Sequence, residues 1–128
     1  MKSIIKYRGF NRNKSVDELL YNNILWLHYF NFIKVEITFL KQLLKEYPFK
    51  TNIPNLFEHI QLFIKDLDTF ENHRIKIIEN ITSQNKQLKT NFNLAAFEDL
   101  AEEISDYKQT YINLKNNIYE YLRGLLIS

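Results

Sequence analysis

From Val16 to Tyr47 the chain has neither proline nor glycine, and its apolar residues fall into two interleaved rows of period seven. Leu19, Trp26, Ile33, Leu40 and Tyr47 form one row. Asn23, Phe30, Ile37 and Leu44 follow the first four by four residues and form the other, with Asn23 as its polar lapse. Residues seven apart return to nearly the same side of an α-helix, so together the rows make one heptad seam. The whole chain holds only Gly9, Gly124, Pro48 and Pro54 of those two residue types. Strand-and-turn folds need many tight turns, so this scarcity points to helices throughout.

Ser15-Val16-Asp17-Glu18 has capping-box spacing and predicts the start of the first helix. Pro48 to Pro54 reads as a turn, since Pro48 cannot donate to the preceding helix and disfavours helix at Tyr47. Pro54 suits a first helical turn, while Asn55 and Glu58 offer a capping box one residue later; both placements stay open. The second segment has Leu56, Phe63, Phe70 and Ile77 in one row, ended by Gln84. Its other row is Ile60, Leu67, Ile81 and Leu88, with Arg74 as the polar exception. The pattern weakens through Thr82-Ser83-Gln84-Asn85, so the helix ends there or continues to about Lys89; Thr90 to Asn93 is the second connection. The third segment carries Phe97, Ile104, Tyr111, Ile118 and Leu125, with Leu100, Tyr107, Leu114 and Tyr121 three residues after the first four. Gly124 lies where a helix can end in the left-handed conformation.

Three segments of about 30 residues, each about 45 Å long if helical, predict an all-α fold. The short connections favour antiparallel neighbours in an up-down-up bundle. The expected organisation is a basic N-terminal arm, residues 1–14, followed by a single helical-bundle domain, residues 15–128. The alternatives are a four-helix bundle broken near Thr82 and a coiled-coil dimer.

The net charge of +2 is unevenly spread. Lys2, Lys6, Arg8, Arg12 and Lys14 precede the first acid, Asp17. The other twelve of seventeen basic groups face all fifteen acids, leaving the bundle at −3. Such a bundle lacks the electrostatic footprint of a nucleic-acid binder. There is no cysteine, which removes disulfides, thiolate nucleophiles and cysteine-type zinc sites, and fits a reducing cytoplasm. The first residues have no apolar run suited to a secretory signal. The longest uncharged stretch, Leu19 to Ile33, is interrupted by Asn22, Asn23, His28 and Asn31. It reads as a buried core helix rather than a membrane span.

The candidate chemistry is sparse. His28, His59 and His73 fall in no Glu-x-x-His, His-x-x-x-His or His-Glu-x-x-His pattern, and His59 and His73 lie about 21 Å apart along a helix. Two glycines cannot build a phosphate-binding loop, and no nucleophile elbow is present. The expectation is therefore no catalytic, cofactor-binding or metal-ligating residues, and no enzymatic activity. The seam aromatics Trp26, Phe30, Phe63, Phe70, Phe97, Tyr107, Tyr111 and Tyr121 read first as core, with an apolar ligand pocket between the helices as the alternative. Arg74 within a seam requires a partner or must reach solvent, either being favoured over an anion site. Asp99, Glu102, Glu103 and Asp106 form one acidic face, a solvated opening turn or a dock for a basic segment. Surplus apolar residues, Leu20, Ile24 and Leu27 on helix one and Phe57, Ile64 and Ile78 on helix two, either widen the core or meet another molecule.

Trp26, Glu36-Ile37, Leu40 and Leu43-Leu44 on helix one, with Tyr121-Leu122-Arg123 on helix three, give the chain a resemblance. In these and in its helical order it resembles small uncharacterised helical proteins of Bacteroidetes-type bacteria. The resemblance implies a fold and carries no activity. The functional expectation is a cytoplasmic helical bundle acting in protein–protein interaction or self-association. The alternatives are an apolar ligand in the bundle centre, or nucleic-acid or membrane-surface contact through the basic arm. Since helices one and three start at the same end, the arm is expected beside the acidic face, docked on it or free as a tail.

Overall fold

The computed structural model describes residues 16–46, 53–88 and 90–127, the side chains of 126 and 127 excepted. They form three helices: α1 (Val16–Glu46), α2 (Leu56–Gln87) and α3 (Leu94–Ile127). No strand occurs among the described residues. Asn23 near the start of α1 meets Asn85 near the end of α2, and Lys41 near the end of α1 meets Asp68, so these helices are antiparallel. Trp26 stacks on Phe97 with ring centroids 5.3 Å apart, and Tyr111 reaches Glu36, so α1 and α3 run parallel. The result is the expected up-down-up three-helix bundle.

Asp17 and Glu18 stand in the first turn of α1 and Lys45 in its last, each complementing the helix dipole. The expected cap at Ser15 and the seam residue Tyr47 lie outside the described residues, as does the basic arm. At α2 neither capping arrangement forms. Asn55 is left-handed (φ 58°, ψ 20°) and makes no side-chain cap bond, while Pro54 sits ahead of the helix. A capping side chain needs an extended backbone at that position. Asparagine tolerates the left-handed state better than other residues with a side chain, and here it turns the chain into the helix. The His59 amide then donates to the Asn55 carbonyl at 3.1 Å, and the ladder begins. On α3 the Asn93 side chain does cap, accepting from the Ala96 amide at 3.1 Å.

α2 takes the later of its two expected ends, and α3 runs past the end expected at Gly124. α2 does not break at Thr82, which removes the four-helix alternative. Its polar run is held by tertiary partners: Asn85 bonds Asn23, Gln84 donates to the Ala96 carbonyl at 3.1 Å, and Ile81 and Leu88 are buried on either side. Gly124 does not end α3 in a left-handed turn. It has no positive φ, and the helix continues to Ile127 with Leu125 still packed against the core.

The α1 seam is buried at every described position, from Leu19 to Leu44, and the α3 seam from Phe97 to Ile118. On α2 the buried line is Ile64, Leu67, Arg74, Ile77, Ile81 and Leu88, while Leu56, Ile60, Phe63 and Phe70 are half-buried. Four surplus apolar residues, Leu20, Leu27, Ile64 and Ile78, join the core and widen it, whereas Ile24 and Phe57 stay exposed. Phe30, Leu40, Leu67, Ile77, Ile81, Phe97 and Ile118 are 0 % exposed. A void that admitted water would give its lining accessible surface, so the centre these residues share is close-packed.

Candidate interaction surface

Several polar residues inside the bundle bond to one another, within a helix or across two. Arg74, 5 % exposed, donates from Nε and Nη2 to the two Glu71 carboxylate oxygens, both at 2.7 Å. Of the two expectations for Arg74, the structural pair is the one realised, and the hydrogen bonds to Glu71 hold its guanidinium further into the charged form. Asn23 is fully buried and donates to Asn85 across α1 and α2, while its own Oδ1 finds no partner among the described residues. Glu36 accepts from the Tyr111 hydroxyl at 2.7 Å and from Lys115 at 3.3 and 3.4 Å, which ties the middle of α1 to α3. Tyr107 donates to the Phe70 carbonyl at 3.1 Å. Burial, then the charge of Glu36, pushes Tyr29 up to about 12; burial raises Tyr107 and Tyr111 further. Glu98 is also buried, a position that the seam pattern did not single out.

The histidines do not converge. His28 is exposed on α1. His59 donates from Nδ1 to the Asn55 carbonyl at 2.8 Å and stacks on Tyr121, with ring centroids 4.9 Å apart. His73 meets Glu103 at 2.8 Å. No group of three or more His, Cys, Asp or Glu side chains among the described residues is placed to hold a metal ion. The acidic face of α3 divides: Asp99 and Asp106 are exposed, Glu102 and Glu103 half-buried, with Glu103 on His73. The seam aromatics pack on one another, Phe30 and Phe70 edge-on to Tyr107 at 5.2 Å and Trp26 on Phe97. Between α2 and α3 a groove beside Phe70 and Leu114 is open to solvent rather than enclosed.

What remains is a feature of the outer side of α1. Tyr21, Leu25, Phe32, Val35 and Phe39 are 60 %, 47 %, 59 %, 68 % and 54 % exposed. With His28 they follow one another at intervals of 4, 3, 4, 3 and 4, the same alternation as the core seam. The row starts two residues after Leu19, about 200° around the helix, and so lies opposite the core. α1 thus has two heptad seams back to back, one covered by α2 and α3 and one facing solvent. The sequence expectation placed the extra apolar residues at Leu20, Ile24 and Leu27, one step round from the core seam, and missed the row beginning at Tyr21. The missing signal was present in the spacing itself: the outer row is as regular as the inner one.

The described residues thus form a three-helix bundle with an exposed apolar seam on its first helix. No protein family matches the chain, and neither a curated protein nor a solved structure is significantly similar to it. No described helix is long and apolar enough to cross a membrane.

Proposed function

We propose that this protein is a non-enzymatic interaction module of the cytoplasm, and that its contact surface is the outer seam of α1. The observation that carries this reading is the regular exposed row of Tyr21, Leu25, Phe32, Val35 and Phe39. Exposed apolar side chains scattered singly need no explanation, whereas a contiguous row of them marks a place where another molecule sits. Helical faces are recognised through anchors at such spacing. The closely packed core supports a scaffold role over a ligand-binding one. The absence of cysteine supports the cytoplasmic setting.

The test is capture from lysate of cells that express the protein, comparing the wild-type chain with Phe32→Glu and Phe39→Glu. Both substitutions fall on exposed positions, so helical content should be unchanged while capture is lost. Equal capture by the wild type and both variants would remove the outer seam from the function.

A further inference from the structure

We propose that the outer seam of α1 pairs with the same seam of a second copy, the two helices running antiparallel about a two-fold axis near residue 30. This deepens the interaction reading and rests on it.

The first argument is register. When two copies of α1 are laid antiparallel with residue 30 at the centre, Tyr21 falls opposite Phe39 of the second copy and Leu25 opposite Val35. His28, the polar member of the row, falls opposite Phe32. Each layer then has a partner of the right kind, and the two-fold repeats each contact. The seven-residue period lets such a seam run as knobs between facing helices.

The second argument is charge. Asp17 and Glu18 stand in the first turn of α1 and Lys45 in the last. In the antiparallel register Asp17 falls opposite Leu43 of the second copy, two residues from its Lys45, twice over. A parallel pair would instead set Asp17 and Glu18 against their own copies, His28 against His28 and Lys45 against Lys45. Partners whose charges are complementary associate, and like charges placed together are penalised.

Area is the third. Tyr21, Leu25, Phe32, Val35 and Phe39, with the neighbouring Ile24 at 47 %, leave a large part of their side chains in water. From typical side-chain areas this is about 600 Å² per copy, or about 1,200 Å² for the pair, the lower bound of stable specific interfaces. The core lies on the far side of α1, so α2 and α3 of each copy stay clear of the contact. Lipid is the less suited occupant. A helix that lies on an anionic surface carries a cationic polar face, whereas the exposed charges of α1 are mixed: Asp17, Glu18 and Glu46 with Lys34 and Lys45.

The experiment is light scattering and sedimentation of the full chain from low to high micromolar concentration. The expected mass of the wild type is about 31 kDa, twice the 15.5 kDa of one chain. Phe32→Glu and Val35→Lys should each return it to 15.5 kDa with the circular dichroism spectrum unchanged. Orientation is read by cross-linking, which is clean because the chain has no cysteine of its own. A mixture of Leu25→Cys and Val35→Cys should form the mixed disulfide on oxidation, and neither variant alone should dimerise covalently. Covalent dimers of Leu25→Cys with itself would overturn the antiparallel register. A dimer indifferent to Phe32→Glu and Val35→Lys would overturn the surface. If the wild type weighs 15.5 kDa throughout yet loses lysate capture in Phe32→Glu, the second copy is wrong and the interaction reading stands. If the monomer instead co-sediments with phosphatidylcholine–phosphatidylserine vesicles through the same residues, lipid covers the seam. No change in mass, capture or vesicle binding would overturn both.

Discussion

Arg74 shows what a charge inside an otherwise apolar seam requires. Its two bonds to Glu71 leave the guanidinium satisfied, and removing the carboxylate orphans it. Glu71→Ala should therefore cost about 2–4 kcal/mol in urea unfolding, at the low side of a fully buried pair because Glu71 reaches solvent. Arg74→Met, which keeps the stem and leaves a hydrated glutamate, should be close to neutral. Trp26 is stacked on Phe97 and 7 % exposed, so Trp26→Ala should cost about 3–5 kcal/mol in the same assay. The buried tyrosines set an alkaline limit. Tyr29 is pushed up to about 12, Tyr107 and Tyr111 higher, against about 10 in an unfolded chain. The folded state therefore binds these protons more tightly. Its advantage is fully present below pH 10 and is lost as the pH rises through 12 and beyond. Lys108, held low by burial, works in the opposite sense but is one group against three. Loss of helix should coincide in that alkaline range with the share of phenolate absorbance that Tyr29→Phe, Tyr107→Phe and Tyr111→Phe remove. That share forming while the helix signal persists would mean that these rings are freely solvated.

At the scale of single helices, the later end of α2 and the continuation of α3 past Gly124 have different causes. The polar run Thr82 to Asn85 looks like a stop because it has no apolar anchor of its own; Asn23 and the Ala96 carbonyl, distant in sequence, supply the partners. Gly124 looks like a terminator because glycine so often ends helices, yet the Leu125 contact carries α3 past it. A methyl group at Gly124 would meet nothing within 4 Å. Gly124→Ala should then stabilise the protein by up to about 1 kcal/mol, read as a raised melting temperature. An unchanged or lowered Tm would mean that the last turn of α3 is not helical in solution. The core seams of α1 and α3 were legible almost residue by residue, because burial on one side leaves a period that composition cannot hide. The α2 seam was legible in the row through Leu67 and Ile81 and less so in the row through Phe63 and Phe70, which sits at the edge. The outer seam obeys the same rule as the inner one. A period shows that a helix has an apolar face but not which of two faces its neighbours cover, and only the packed bundle distinguishes them.

For the molecule as a whole, three helices joined by two brief connections keep most contacts local, and such folds form quickly. If the outer seam is covered by a second copy, unfolding releases two chains, and the melting temperature must rise with protein concentration. Phe32→Glu should abolish that dependence while shifting the dilute-limit Tm little, since Phe32 touches solvent rather than core. A wild-type Tm independent of concentration would place the stability entirely within one chain. The back-to-back seams of α1 also matter during synthesis. Translation at about 5–20 residues per second leaves α1 outside the ribosome for roughly 4 to 16 seconds before α3 is complete. Through that interval the outer face is bare, and later translation covers only the inner one. If the outer seam pairs with a second copy, the nascent α1 of a neighbouring ribosome on the same message carries the surface that covers it.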